Sequence, residues 1–243
     1  MSIAGGRVRR FRLRAANAYL VSDPSRPQDD DSTIRPGRGR GSDDEFVLVD
    51  AGLPWDRGRL LRGLADVGLD AGDVDRVLLT HYDVDHVGTL ATLGLRADVP
   101  IHVGEPDASY LTHRSNPPIL SHKGAAQLLA APLLTPPTNP VEVVDDGDRI
   151  GGFVAYGTPG HTPGHTAYVH ERLGVAFVGD MVRETDGRLE PAPWVLNADS
   201  DQNRRSIREF AARCPPVDVV AMGHGDPIVE YGYGSLKRVA DRV

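Results

Sequence analysis

The sequence holds a single cysteine, Cys214, so no disulfide can form within the chain. Cys214 falls near the end of a predicted helix, a place that suits packing more than nucleophilic chemistry. Lysine is almost absent: Lys123 and Lys237 are the only two, and arginine carries the rest of the positive charge. That bias fits a GC-rich genome or a salt-adapted host and says nothing about mechanism. No apolar run approaches the roughly 20 residues of a membrane span. The N-terminus bears arginines but lacks the sustained apolar core of a signal peptide. A cytoplasmic protein without a membrane partner is therefore expected. Positive charge is not in excess either: the net charge is -7, which argues against general nucleic-acid binding. What remains is a chain of 243 residues, 40% hydrophobic, with ample length to bury a core.

Along the chain, residues 7–13 and 18–22 predict two strands of an opening hairpin. Arg7, Arg9, Arg10, Arg12 and Arg14 read as the solvated face of an edge strand, with a phosphate-binding strip as the sharper alternative. Residues 23–45 turn to Asp, Arg, Pro, Gly and Ser, and read as a flexible insertion within one domain spanning 1–243. A strand over 46–50 follows, then a helix over 56–67 with Leu60, Leu61, Leu64 and Val67 inward. Trp55 between them is expected as a pocket wall or a core residue. Residues 101–103 predict a strand whose His102 alternates away from its apolar neighbours toward the surface. Helices are expected over 105–112 and 121–130, with a proline-rich stretch after them. From Val141 the chain turns strand-rich, with runs at 141–144, 153–157, 166–170 and 175–179 suggesting a second, antiparallel sheet. A helix over 201–214, with Ile207 and Phe210 inward, precedes a strand over 217–222 and a closing helix over 234–243.

The chemistry gathers in four turns. The first is Thr80-His81-Tyr82-Asp83-Val84-Asp85-His86-Val87-Gly88, which follows a short apolar strand. After it Val87, Leu90, Ala91 and Leu93 recur at helical spacing, with Gly94 as the stop. His81, Asp83, Asp85 and His86 therefore crowd a tight strand-to-helix turn. Imidazole and carboxylate are both ligands for zinc and similar divalent ions. The other turns are Thr158-Pro159-Gly160-His161-Thr162-Pro163-Gly164-His165, then Gly179-Asp180, then Gly223-His224-Gly225-Asp226. Each ends or follows an apolar run and presents His or Asp in a glycine-rich bend. Asp50-Ala51-Gly52 forms a further turn after the strand over 46–50.

In this order, from about Asp50 to His224, the motifs resemble those of the metallo-β-lactamase-fold hydrolase superfamily. The resemblance implies an α/β (α+β) fold, a four-layer αββα sandwich of two mixed β-sheets with helices outside. It implies two divalent metal ions collected at one edge between the sheets. His81, Asp83 and His161 would hold one ion and Asp85, His86 and His224 the second, with Asp180 bridging. Asp50 and His165 would support these ligands by hydrogen bonding. The implied reaction is hydrolysis of a small ester, thioester or lactone by a hydroxide held between the ions, with Asp85 handling the proton. The pattern departs from His-x-His-x-Asp-His at Asp83. A carboxylate there moves metal preference from zinc, the first expectation, toward iron or manganese. Lactone-hydrolysing members carry a tyrosine three residues after the bridging aspartate, where this chain has Arg183. Tyr82, Arg183 and Trp194 are candidate contacts for a small-molecule substrate, and Tyr110, His113 and His122 are candidate pocket residues. Three other readings stay open: a phosphodiester hydrolase on the same site, a mononuclear-iron redox enzyme of persulfide-dioxygenase type, and a non-catalytic binding module.

Overall fold

The computed structural model describes residues 1–24, 44–119 and 121–243. Its strands in chain order are β1 Ser2–Ile3, β2 Val8–Arg12, β3 Asn17–Asp23, β4 Glu45–Val49, β5 Arg76–Leu78, β6 Ile101–Gly104, β7 Val141–Val144, β8 Arg149–Ile150, β9 Phe153–Gly157, β10 Thr166–His170, β11 Val175–Gly179, β12 Val182–Thr185, β13 Arg188–Pro191 and β14 Val219–Met222. The α-helices are α1 Arg57–Ala65, α2 Val84–Val87, α3 Asp107–Leu111, α4 His122–Ala130, α5 Ser200–Arg213 and α6 Gly232–Ala240. Strands β1 to β7 form one sheet in sequence order, antiparallel from β1 to β4 and parallel from β4 to β7. The second sheet has the order β14-β11-β10-β9-β8, with β14 and β11 parallel and the rest antiparallel. Both sheets are mixed.

The central strands are apolar throughout because both of their faces are covered. Side chains alternate, so each strand feeds two layers. Tyr19, Val21, Val47 and Val49 of the first sheet meet Phe153, Tyr168, Phe177 and Ala221 of the second in a core between the sheets. The alternate residues Ala18, Leu20 and Leu48 face outward and pack with Leu60 and Leu64 of α1. On the far side Ala167, Val169, Ala176, Val178 and Val220 pack with Ile207 and Phe210 of α5 and with Leu236 and Val239 of α6. This layering is the αββα sandwich. Among the described residues no helix is long and apolar enough to cross a membrane.

Several sequence expectations are corrected. Val141–Val144 joins the first sheet, parallel to β6, and closes its edge. Its half-exposed side chains reflect that edge position, which the valine pattern does not distinguish from a central strand. The helix after the turn at 80–86 stops at Val87; Leu90 and Leu93 are buried by turns instead. His102 is buried, 6% exposed, because β6 lies between β5 and β7 and both its faces are covered. Burial, helped by the nearby Arg76, pushes its imidazole down to about 4. Trp55 is neither core nor pocket wall of the enclosed kind, being 54% exposed. Strand β2 is not an edge, since β1 pairs outside it. Part of its arginine strip is spent in ion pairs: Arg10 lies 2.6 Å from Asp226, and Arg7 pairs with Asp44. Residues 182–191, for which the sequence predicts no strand, form the hairpin β12–β13. Of the expected insertion at 23–45, residues 25–43 lie outside the described residues; Asp23 and Glu45 end and begin paired strands.

Candidate metal centre

The chemistry-bearing turns follow β4, β5, β11 and β14 and precede β10, so they meet at one end of the two sheets. Parallel strands end there, and such ends are where open α/β sheets present ligands. Asp50 follows β4 in the left-handed region, with φ 58°. A non-glycine residue holds that conformation only when its surroundings fix it. Here they do: the carboxylate accepts from the Thr80 amide at 2.9 Å, from Thr80 Oγ1 at 2.9 Å and from His86 Nδ1 at 2.9 Å.

That network sets the tautomers. His86 donates through Nδ1 to Asp50, which leaves Nε2 as the free donor atom. Thr80 gives its hydroxyl proton to Asp50, so His81 Nδ1 donates to Thr80 Oγ1 at 2.9 Å and its Nε2 faces the centre. Asn197 uses its amide nitrogen on Ala192 O and Ser200 Oγ, both at 3.2 Å, so its oxygen accepts from His161 Nδ1 at 3.2 Å. His161 Nε2 is thereby aimed inward as well. His165 differs. Its Nε2 accepts the Asp180 amide at 3.1 Å and its Nδ1 meets Thr158 Oγ1 at 2.8 Å. It buttresses the backbone of Asp180 from behind.

Three donor triads result: His81, Asp83 and His161; His81, His86 and Asp180; and Asp85, His86 and His224. Within each, the donor atoms lie within 4.8 Å of one another. A tetrahedral ion with bonds of about 2.1 Å requires donor spacings of roughly 3.4 Å. Asp83 Oδ2 lies 3.3 Å from His81 Nε2 and 3.1 Å from His161 Nε2. His224 Nε2 lies 3.5 Å from Asp85 Oδ2 and 3.0 Å from Asp180 Oδ2, and His86 Nε2 is 3.5 Å from Asp180 Oδ1. His81 Nε2, His86 Nε2 and Asp180 Oδ1 are buried without a hydrogen-bond partner. Orphaned buried donors cost free energy unless something satisfies them. A divalent ion would, so the residues present fit a metal.

Electrostatics point the same way. Burial and the neighbouring His86 push His81 down to about 4, so it offers a neutral lone pair. Burial opposes charge on His86 too, but the Asp180 and Asp50 carboxylates override it and raise His86 to about 10. Asp180 is held well below the usual carboxylate range, against its burial, by His86 and His224. The cluster therefore demands a cation, and without an ion a proton on His86 supplies part of it.

Three groups that sequence reasoning missed complete the surroundings. Lys123 is buried on α4 and pairs with Asp83, while Gln127 Nε2 reaches the other Asp83 oxygen at 3.0 Å. Asp107, fully buried at the start of α3, accepts from the Tyr82 amide at 2.7 Å, Thr162 Oγ1 at 2.6 Å and the Gly164 amide at 2.9 Å. It ties the first metal turn to the Pro-Gly-His turn, and burial pushes its carboxyl up to about 6. Lys123 carried one signal in the sequence, its rarity in an arginine-rich chain.

Of the candidate substrate contacts, Tyr82 is 3% exposed and its ring packs edge-on to Tyr110, 6.0 Å between centroids. Arg183 lies on β12 with its guanidinium 3.8 Å from Glu190 across the hairpin. Trp194 is 72% exposed, in the turn just before Asn197, with His122 of α4 beside it at 6.0 Å. His113 is exposed after α3, with φ 55°.

A model of the Metallo-beta-lactamase superfamily matches residues 40–224. The chain is similar to the probable metallo-hydrolase YflN of Bacillus subtilis (strain 168), 24% identical over 95% of this chain and 89% of that protein. It is 30% identical to metallo-beta-lactamase domain-containing protein 1 of Xenopus laevis, over 78% of this chain and 70% of that protein. Among solved structures, TTHA1623 in a di-iron-bound form superposes with a TM-score of 0.62 and 26% identity, covering 96% of this chain and 100% of that one. The metallo-beta-lactamase family protein TTHA1429 from Thermus thermophilus shares the fold, with a TM-score of 0.64 at 22% identity over 97% of this chain and 79% of that one.

Proposed function

The chain belongs to the metallo-beta-lactamase superfamily, and from that premise we propose that it is a metal-dependent hydrolase of a small ester, thioester or lactone. The observation that carries the reading is the convergence of buried imidazole and carboxylate donors, three of them orphaned, at one mouth between the sheets. A divalent ion held there supplies Lewis acidity and lowers the pKa of water, so no serine or cysteine nucleophile is required. The chain's residues do the rest. Asp50, Thr80 and Asn197 fix the tautomers of His86, His81 and His161 so that the Nε2 of each faces inward. Asp85, less buried than Asp180, sits at the mouth and takes the proton of the attacking water.

The rim suits an apolar acyl group. Trp194, Val195 and Leu196 are exposed in the turn that leads into Asn197, where His122 of α4 meets the Trp194 ring. Zinc is the first ion to test. Iron has a specific argument in its favour, the hard Asp85 and Asp180 carboxylates together with the di-iron form of TTHA1623. Chelated protein should hydrolyse none of a panel of p-nitrophenyl esters, acyl thioesters and lactones, and zinc, manganese or iron(II) should restore turnover of at least one class. Unchanged turnover after chelation would sink the metal-dependent reading. Faster turnover of a phosphodiester than of any acyl substrate would move the reading to that alternative.

A further inference from the structure

We propose that Lys123 occupies the place of the first ion, so that the protein holds a single divalent ion, in the cradle of Asp85, His86 and His224 with Asp180. The proposal rests on the metal-dependent reading above and narrows it. Helix α4 turns Lys123 and Gln127, one turn apart, onto Asp83; they are 7% and 6% exposed. Lys123 Nζ bonds Asp83 Oδ2 and lies 3.0 Å from His161 Nε2. Gln127 takes Asp83 Oδ1 at 3.0 Å and also donates to Tyr82 O at 2.5 Å. Both oxygens of Asp83 are thus engaged by α4, and the inward nitrogen of His161 faces an ammonium.

These are two of the three donors the first cradle would offer to an ion, His81 Nε2 being the third. Asn197 fixes the proton of His161 on Nδ1, so Nε2 has one lone pair. It can accept an ammonium proton or bind an ion, not both. An ion about 2.1 Å from Asp83 Oδ2 and His161 Nε2 would be crowded against Nζ, which holds the same two atoms. Buried like charges in contact also repel strongly. The charges agree with a single ion: the three carboxylates Asp83, Asp85 and Asp180 are met by one ammonium and one divalent ion. The second cradle has no such competitor. Among the described residues, no lysine or arginine nitrogen bonds Asp85, His86, Asp180 or His224. The exchange of histidine for aspartate at position 83 then has a physical reason, because a carboxylate can hold an ammonium where an imidazole would hold metal.

The test is elemental mass spectrometry on the full chain, loaded with zinc and freed of excess by gel filtration, beside the variant Lys123→Met. Methionine keeps much of the apolar stem and removes the charge. One zinc per chain in the wild type and two in Lys123→Met is the expected result. Two in the wild type, or one in the variant, overturns the proposal. Should Lys123→Met fail to fold, an anomalous difference map from zinc-loaded wild-type crystals decides. One peak among Asp85, His86 and His224 supports the proposal, and a peak between His81, Asp83 and His161 overturns it. A wild type that takes up no zinc overturns the metal-dependent reading itself, an outcome distinct from two.

Discussion

Gly223 leaves the centre the least room. A Cβ there would run into Asp180 Oδ1 and lie 2.7 Å from His86 Cε1. The backbone of the last turn passes this close because Asn17 and Tyr19 of the first sheet hold it. Asn17 donates to Gly225 O at 2.8 Å and Tyr19 to Met222 O at 2.8 Å. Gly223→Ala is therefore expected to displace Asp180 and weaken zinc binding by about tenfold or more, while thermal unfolding shifts little, since exchanging one residue of a loop leaves the sheet cores intact. Competition titration against a zinc-sensitive dye reads the affinity. At this scale the sequence was informative where chemistry sits in a turn. His161, Asp180 and His224 stand next to glycine, His81, Asp83, Asp85 and His86 crowd one short turn after a strand, and the structure brings them together. Lys123 and Asp107 did not, because what makes them important lies 40 and 25 residues away, at Asp83 and Tyr82. A buried lysine on an amphipathic helix looks like a surface one until its partner is placed.

Strand β11 shows how an element is anchored. Phe177 is 1% exposed, stacks edge-on to Tyr19 of the opposite sheet at 5.4 Å, and lies three residues before Asp180. Truncating a buried phenylalanine costs about 3–5 kcal/mol from lost burial and the cavity left behind. Phe177→Ala should lower stability to urea by that amount. Coincidence of far-UV and tryptophan-fluorescence transitions would check that unfolding stays two-state. A loss under about 1 kcal/mol, the size of an ordinary substitution, would mean the sheets do not depend on this contact. Strands such as β3, β4, β10 and β11 were legible because burial on both faces writes a continuous apolar run. The sheet to which Val141–Val144 belongs was not legible, since pairing depends on which edge remains open, and that is a property of the whole layer. The short α2 was overread for a related reason. Leu90 and Leu93 keep helical spacing but are buried through turns, and Gly88, just past the helix end, lies so close to Leu53 and Pro54 that a side chain there has no space.

The molecule as a whole is two sheets whose strand ends converge on one acidic cluster. Binding of an ion there would be linked to protons. His86 keeps its second proton up to about pH 10 under the pull of Asp180 and Asp50, yet it must give up that proton from Nε2 to bind metal. Below that pH, binding an ion therefore releases the proton. Apparent affinity should rise with pH, by about tenfold per unit for one proton, and level off only as His86 titrates on its own.

The most direct measurement is a calorimetric titration of the metal-free chain with zinc at about pH 7.5, repeated in two buffers of different ionisation enthalpy. A metal centre predicts saturable binding, an observed enthalpy that differs between the buffers by about one released proton, and tighter binding about half a unit higher in pH. No saturable heat, or the same binding in Asp180→Ala, would contradict it.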